Sequence, residues 1–169
     1  MKKALATSLI VALIVNLNFN LTTHATQISD DQAGIISMTC GSIQLQLKNL
    51  QKADSKIRVY LGSKFEFVLT HLMTNLNLRL VKNNLASSPL ASSQTTFNSE
   101  RERFKADFTD YSKSLDALIA TDCKSYPQRF YDQLEITRRK REDVRASYLR
   151  LKDVLLDHRT TVIGVKDNL

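Results

Sequence analysis

Residues that form turns are scarce in this chain. Its 169 residues include four glycines and two prolines, and these two residue types are the usual means by which a chain reverses or leaves a regular element. A fold of many short strands needs turns at short, regular intervals, so this composition argues against one. Because long elements without breakers are helices, the sequence predicts an all-α fold built from a few long helices.

Residues 1–25 have the features of a secretory signal peptide. Lys2 and Lys3 form a short basic start, and residues 4–15 form an apolar run. A Thr-His-Ala triplet ends at Ala25 and places small residues at the two positions that a signal peptidase reads, so cleavage is expected after Ala25. Cleavage leaves one domain, residues 26–169, outside the cytoplasm.

The alternative for the same segment is an uncleaved membrane anchor. No Asp, Glu, Lys or Arg occurs from Ala4 to Ser29, and about 20 uncharged residues can span a bilayer. Three asparagines interrupt the second half of this stretch, which favours cleavage. The expected location is therefore the periplasm, the cell envelope or the medium, with anchoring through residues 4–25 as the alternative.

Periodic apolar residues predict three helices, at about 30–84, 94–122 and 126–162. Steps of three and four residues produce one apolar seam along each helix, as in a coiled coil. The first seam comprises Ile36, Cys40, Ile43, Leu47, Leu50, Ile57 and Leu61, then, after a slip in phase, Phe65, Val68 or Leu69, Leu72, Leu76 and Leu80. The second comprises Phe97, Phe104, Phe108, Tyr111, Leu115 and Leu118, and the third Phe130, Leu134, Thr137, Arg141, Val144, Tyr148, Leu151, Leu155 and His158. Three seams predict an elongated, antiparallel three-helix bundle.

Local signals mark the ends of these helices. Ser29 and Gln32 have the spacing of a capping box, and the serine-rich run Asn83–Ser93, with Pro89 inside it, is the clearest linker. The phase slip in the first helix falls beside Gly62 and Ser63, so a bend or local unwinding is expected there.

Cys40 and Cys123 are the two cysteines of a chain predicted to be exported. An even number of cysteines in an oxidising compartment favours a structural disulfide. The predicted bundle places both at the same end, because the longer first helix and the linker together compensate for the length of the second. A redox pair is less consistent with these positions, since it usually needs a close Cys-x-x-Cys spacing.

Asp54 and Arg141 are charged residues that interrupt the seams of the first and third helices. Counting from the cysteine end places them at similar heights in the bundle. We therefore predict a partly buried ion pair that fixes helix register, a role for which buried charges are well attested. In the alternative interpretation both side chains extend to solvent.

A basic cluster lies on the third helix and comprises Arg138, Arg139, Lys140, Arg141 and Arg145. With a net charge of +7 for the chain, it could bind phosphate-bearing polymer or anionic lipid. The alternative is a solvated helix surface, because Glu135, Glu142 and Asp143 lie at pairing distance along the helix. Aromatic residues for base stacking are not interleaved, so no specific nucleic-acid binding is expected.

No combination of residues in the sequence specifies a catalytic or cofactor site. His71 and His158 lie on different helices without other ligands at metal-binding spacing, and the four glycines do not form a phosphate loop. We therefore expect a protein that is not an enzyme and that needs no metal or cofactor.

The sequence favours an exported binding or scaffold module of the cell envelope that acts through a protein partner or self-association. Val59, Phe67, Leu78 and Val81 fall outside the seam of the first helix and could form a contact face. Two alternatives remain: an electrostatic binder of anionic envelope polymer or lipid through the basic cluster, and a holdase-like periplasmic chaperone, which the protein resembles only in size, charge and helical character.

Overall fold

The structure, a computed structural model, describes residues 27–85 and 87–167, and the regular elements of these residues are all helical. Helix α1 spans Asp30–Phe67, α2 Thr74–Lys82, α3 Ser88–Ala120 and α4 Pro127–Asp167. A π-helical turn, Val68–Met73, joins α1 to α2 without interruption, and we call these three segments together the first rod. The prediction of an all-α chain with three long helical segments is confirmed.

The predicted signal peptide and the alternative anchor lie outside the described residues. Within residues 27–85 and 87–167, no helix is both long enough and apolar enough to cross a membrane.

The first rod begins at the predicted capping box. The Ser29 hydroxyl accepts a hydrogen bond from the Gln32 backbone amide at 3.2 Å, and the Gln32 side chain accepts one from the Ser29 amide at 3.0 Å. Asp30 and Asp31 occupy the first turn, where negative charge interacts favourably with the helix dipole.

The first rod ends in a tight reversal at Asn83 and Asn84. Asn84 adopts a left-handed conformation with φ of 57°, which asparagine tolerates better than most residues. The Leu85 amide donates to the Leu80 carbonyl at 2.8 Å and the Asn84 amide to the Val81 carbonyl at 3.1 Å. These two bonds form a Schellman motif, which satisfies carbonyls left open by the end of the helix.

Helix α3 begins at Ser88, six residues before the predicted start at about 94. Pro89 lies in the first turn, where no intrahelical partner is lost through its missing amide hydrogen. The predicted linker Asn83–Ser93 is therefore wrong in extent, and only residues 83–87 connect the two helices. Helix α4 likewise continues to Asp167 instead of ending at about 162.

The predicted phase slip occurs, but its position beside Gly62 and Ser63 was wrong. It lies in the π-helical turn, where the backbone amide and the hydroxyl of Thr74 both donate to the Leu69 carbonyl. A π turn inserts one extra residue, so Phe65, Leu69 and Met73 face the core in steps of four.

Three predicted seam residues of apolar or aromatic type are more exposed than expected. Leu72 is 53% exposed, and its neighbour Met73 is fully buried instead, because the π turn rotates the helix by one residue. Ile57 is 49% exposed on the margin of α1, and Tyr148 is 38% exposed while the adjacent Ser147 is buried. The seam prediction located the apolar side of each helix but misplaced these residues at its margin.

Helices α3 and α4 form a closely packed antiparallel pair. Ser114 bonds to Thr137 at 2.8 Å near the connecting turn, and Ser93 bonds to His158 at 2.6 Å near the far end. All six predicted seam residues of α3 are buried. They share one apolar cluster with Phe65, Leu69, Met73, Cys123, Phe130 and Leu151.

The first rod lies against this pair, antiparallel to α3. Gln44 bonds to the Thr121 carbonyl at 3.1 Å, and farther along the rod Glu66 pairs with Arg101. Contact with α4 does not extend as far, because no Cα atom of α2 comes within 8 Å of one in α4. At its far end the first rod therefore lies closer to α3 than to α4.

A disulfide between Cys40 and Cys123 joins the first rod to the turn between α3 and α4. The two Cα atoms are 5.5 Å apart, within the ordinary range for such bonds. The bond lies near the beginning of α1, so the covalent connection is at one end of the bundle.

Candidate functional site

The exposed side of the first rod carries a concentration of large apolar side chains, which we call the outer face. Seven of them, between 40% and 69% exposed, lie within 27 residues: Val59, Tyr60, Phe67, Leu72, Leu78, Val81 and Leu85. By contrast, α3 contributes no large apolar side chain that is exposed to this degree. Scattered apolar residues are normal on a protein surface, whereas a local concentration of them is typical of an interaction site.

Helical spacing brings the members of the outer face that lie within the helical part of the rod onto its exposed side. Tyr60 and Phe67 are seven residues apart, which is close to two helical turns. The Phe67 ring stacks on His71 with centroids 4.8 Å apart, so the aromatic surface continues into the π turn. Leu78, Val81 and Leu85 follow at steps of three and four residues in α2 and the adjoining loop.

Basic side chains accompany the apolar residues of the outer face. The Lys64 ammonium lies 5.5 Å from the centre of the Tyr60 ring, within the range of a cation–π interaction. Lys56, Arg79 and Lys82 are also exposed. Sequence analysis identified Val59, Phe67, Leu78 and Val81 as outside the seam but did not notice the basic residues among them, although the residue list alone contains that signal.

A groove runs between α1 and α3 beside the outer face. It consists of two adjoining cavities of 520 and 380 Å³, which share Arg58 and Phe108. Its floor is formed by buried residues of the α3 seam, and Gly62 contributes open space on the α1 side. The polar centre of the groove is Asp54.

Asp54 is 9% exposed, and its closest hydrogen-bond partner is Tyr111. The Tyr111 hydroxyl donates to Asp54 Oδ2 at 2.6 Å, whereas the Arg141 guanidinium is 4.0 Å from Asp54 Oδ1 and its side chain is 57% exposed. The predicted pair of Asp54 and Arg141 is thus brought together, but at a separation too long for a hydrogen bond. Sequence analysis placed Tyr111 in the core and missed its hydroxyl as the partner.

The environment of Tyr111 keeps its phenol protonated. Burial is the main cause that raises the pKa of Tyr111 far above its usual value, and the hydrogen bond to Asp54 and the negative charge of that carboxylate add to it. The hydroxyl therefore acts as a permanent donor to a nearly buried carboxylate. This arrangement is typical of a structural polar contact between two helices, here α1 and α3.

Replacing Tyr111 with phenylalanine is expected to lower the free energy of unfolding by about 1–3 kcal/mol, because it leaves the Asp54 carboxylate without its short hydrogen bond. Tyr148→Phe is the matched control, since Tyr148 is 38% exposed and its ring contact with Phe65 is preserved. Urea denaturation of both variants measures the difference. Equal stabilities for the two variants would contradict the structural role of the Tyr111 hydroxyl.

Most of the basic cluster predicted to bind anions already has acidic neighbours. Arg138 lies 2.6 Å from Glu135, Arg145 lies 3.3 Å from Glu142, and Lys140 lies 3.8 Å from Asp143. Arg141 approaches Asp54 at 4.0 Å, and Arg139 forms no ion pair with any residue that the structure describes. The three acidic partners within α4, Glu135, Glu142 and Asp143, are those named from the sequence. The cluster is exposed but largely neutralised.

His158 and Ser93 form a second polar contact, between α4 and α3. Ser93 Oγ lies 3.0 Å from the Leu90 carbonyl oxygen and 2.6 Å from His158 Nδ1, and the tautomer of His158 sets which of the two side chains donates in the second bond. Burial lowers the pKa of His158. The contact joins α3 to α4 at the end of the pair far from the connecting turn.

Comparisons with protein-family models, curated proteins and solved structures found no match to this chain.

Proposed function

We propose that the protein is an exported, non-enzymatic binding module of the cell envelope, an elongated antiparallel three-helix bundle that makes its contacts through the outer face. The observation that carries this proposal is the concentration of exposed apolar side chains between Val59 and Leu85, opposite the core-facing residues of the same rod. The signal-like residues 1–25 and the disulfide support export, since disulfides persist in oxidising compartments.

The bundle is suited to such a role because its contact surface is supported from behind. Phe65 and Met73 anchor the same rod in the apolar cluster, and Glu66 pairs with Arg101 of α3. A surface held in this way loses little conformational entropy when a partner binds. For the part of the outer face from Val59 to Leu72, this argument favours a rigid docking face over a segment that folds on binding.

Binding of anionic polymer through the basic cluster of α4 has weaker support. Four of the five basic residues have a carboxylate within 4.0 Å. An anionic ligand must compete with these carboxylates or accept their repulsion, which reduces the gain from each contact.

Site-specific photo-crosslinking in the cells that make the protein tests the contact surface. A photoreactive phenylalanine analogue replaces Phe67 or Leu78 in the outer face, or Lys113 on the exposed side of α3 as the matched control. We expect crosslinked products from the first two positions and none from Lys113. Products from Lys113 at an equal yield, or an absence of products at both outer-face positions, would contradict the proposal.

A further inference from the structure

The outer face is unusually poor in acidic residues. From Lys56 to Leu85 the chain contains five Lys or Arg residues and one acidic residue, Glu66. Glu66 is engaged by Arg101 of α3, so its charge is compensated at the edge of the rod. This surface therefore carries a net positive charge.

The cations of the outer face are available to a ligand. Lys56, Lys64, Arg79 and Lys82 form no ion pair with any residue in the described ranges, 27–85 and 87–167. This distinguishes them from the basic cluster on α4, where carboxylates lie beside the arginines. An anionic partner would gain these contacts without displacing an internal one.

The shape of the surface is long and narrow. About 30 helical residues extend over roughly 40 Å, with aromatic rings near the middle of the rod and aliphatic side chains toward its end. Apolar side chains flanked by Lys and Arg, on a helix lying parallel to a surface, are typical of binding at a membrane interface. Lysine stems can lie along the apolar surface while their ammonium groups reach phosphates.

We propose that the outer face binds the surface of an anionic phospholipid bilayer. Tyr60, Phe67 and Leu78 enter the boundary between headgroups and acyl chains, and Lys64 and Lys82 contact headgroup phosphates. This inference rests on the proposed function, in which the outer face is the contact surface, and adds the chemical class of the partner. It also places lipid binding on the first rod and not on the α4 cluster from which the sequence predicted it.

A second copy of the chain fits this surface less well. A symmetric dimer through the outer face would bring the same basic residues of two protomers together, and Glu66, the one acidic residue of this stretch, is already paired with Arg101. Like charges placed close together oppose association. An anionic bilayer offers negative charge at every position along the rod, so it satisfies all of the cations at once.

Vesicle binding tests the proposal with the protein purified in the form in which cells export it. The partition coefficient is measured by sedimentation with vesicles of phosphatidylcholine alone, and of phosphatidylcholine with an equal amount of phosphatidylglycerol. The charge variant K64Q/K82Q and the apolar variant F67S/L78S are compared with K113Q/K152Q, which removes the same charge from the other two helices. Thermal unfolding confirms that each variant is folded.

The wild-type protein is expected to bind the anionic vesicles at least about tenfold more strongly than the neutral ones. We expect K64Q/K82Q to lose binding about fivefold per lysine and F67S/L78S to lose at least about tenfold, with K113Q/K152Q within about twofold of wild type. Equal binding to both vesicle types, or an equal loss in K113Q/K152Q, overturns the proposal.

The two proposals fail in different ways. Crosslinks from Phe67 to protein alone, together with no binding to anionic vesicles, would contradict lipid binding. The outer face would then stand as a protein-binding surface. A lack of crosslinks at both Phe67 and Leu78 would contradict the assignment of the outer face as the contact surface. Vesicle binding that depends on Arg138 and Arg145 but not on Lys64 would place the lipid site on α4 and contradict the inference drawn here.

Discussion

Replacing Cys40 and Cys123 together with serine is expected to lower the free energy of unfolding by about 4.5 kcal/mol. The two cysteines are separated by 83 positions, and in the chain-entropy description a loop of this length gives the unfolded chain much more freedom when it is opened. Urea denaturation of the double variant and the wild type measures the loss. A fall of more than about 10 °C in Tm is the corresponding thermal result.

Two controls separate the effect of the bond from the effect of serine. Wild-type protein that has been reduced and alkylated should approach the stability of the double variant. Each single variant should also resemble the double variant, since either substitution removes the same bond. A double variant as stable as the oxidised wild type would show that the bond does not restrict the unfolded chain.

Phe65→Ala is expected to lower the free energy of unfolding by about 3–5 kcal/mol, the usual cost of removing a buried phenylalanine. Phe65 is 6% exposed, and its ring contacts Phe97, Phe104 and Tyr148 with centroids 6.1, 5.4 and 6.4 Å apart. The loss therefore removes contacts with both α3 and α4. Chemical denaturation provides the measurement.

Phe67→Ala is the matched control, because the same side chain is removed two residues away. Phe67 is 51% exposed and contacts the exposed His71, so its removal should change stability by less than about 1 kcal/mol. A similar loss for both variants would mean that the outer face is part of the core and would count against its assignment as a contact surface.

The apolar seams were predictable because burial in a helical bundle is recorded directly in sequence spacing. Phe97 through Leu118 are a clear case, since every predicted seam position of α3 is buried. The capping residues Ser29 and Gln32 were predictable for a similar reason, because their bonds are local. In both cases the information lies within a few residues of the feature.

Features that depend on contacts between different helices were not predictable in the same way. The π turn lies at Val68–Met73, where Gln94 of α3 donates to the Thr74 hydroxyl at 2.9 Å. No local residue specifies that partner, whereas Gly62, beside which the slip was predicted, lies within the continuous helix α1. The hydroxyl of Tyr111 is similar, since periodicity indicates burial of the ring but not which carboxylate its oxygen meets.

Sequence analysis identified only part of the candidate site. Residues outside the seam, such as Phe67 and Leu78, indicated a spare apolar surface, but the prediction of charge concentrated on the dense run around Arg139. Density of basic residues in sequence was misleading, because helical neighbours compensate one another. The sparser basic residues around Tyr60 have no carboxylate partner among the described residues. This becomes clear only when the structure shows which residues share one side of each helix.

The position of the disulfide makes the two ends of the molecule unequal in their dynamics. At the cysteine end the first rod cannot separate from the other helices without breaking a covalent bond, whereas α2 has no covalent link to α3 and is held there by packing and hydrogen bonds. We therefore expect reversible local opening to start at α2 and to proceed toward the end that carries the disulfide. A ligand bound to the outer face from Leu78 to Leu85 is therefore expected to stabilise the whole bundle against unfolding.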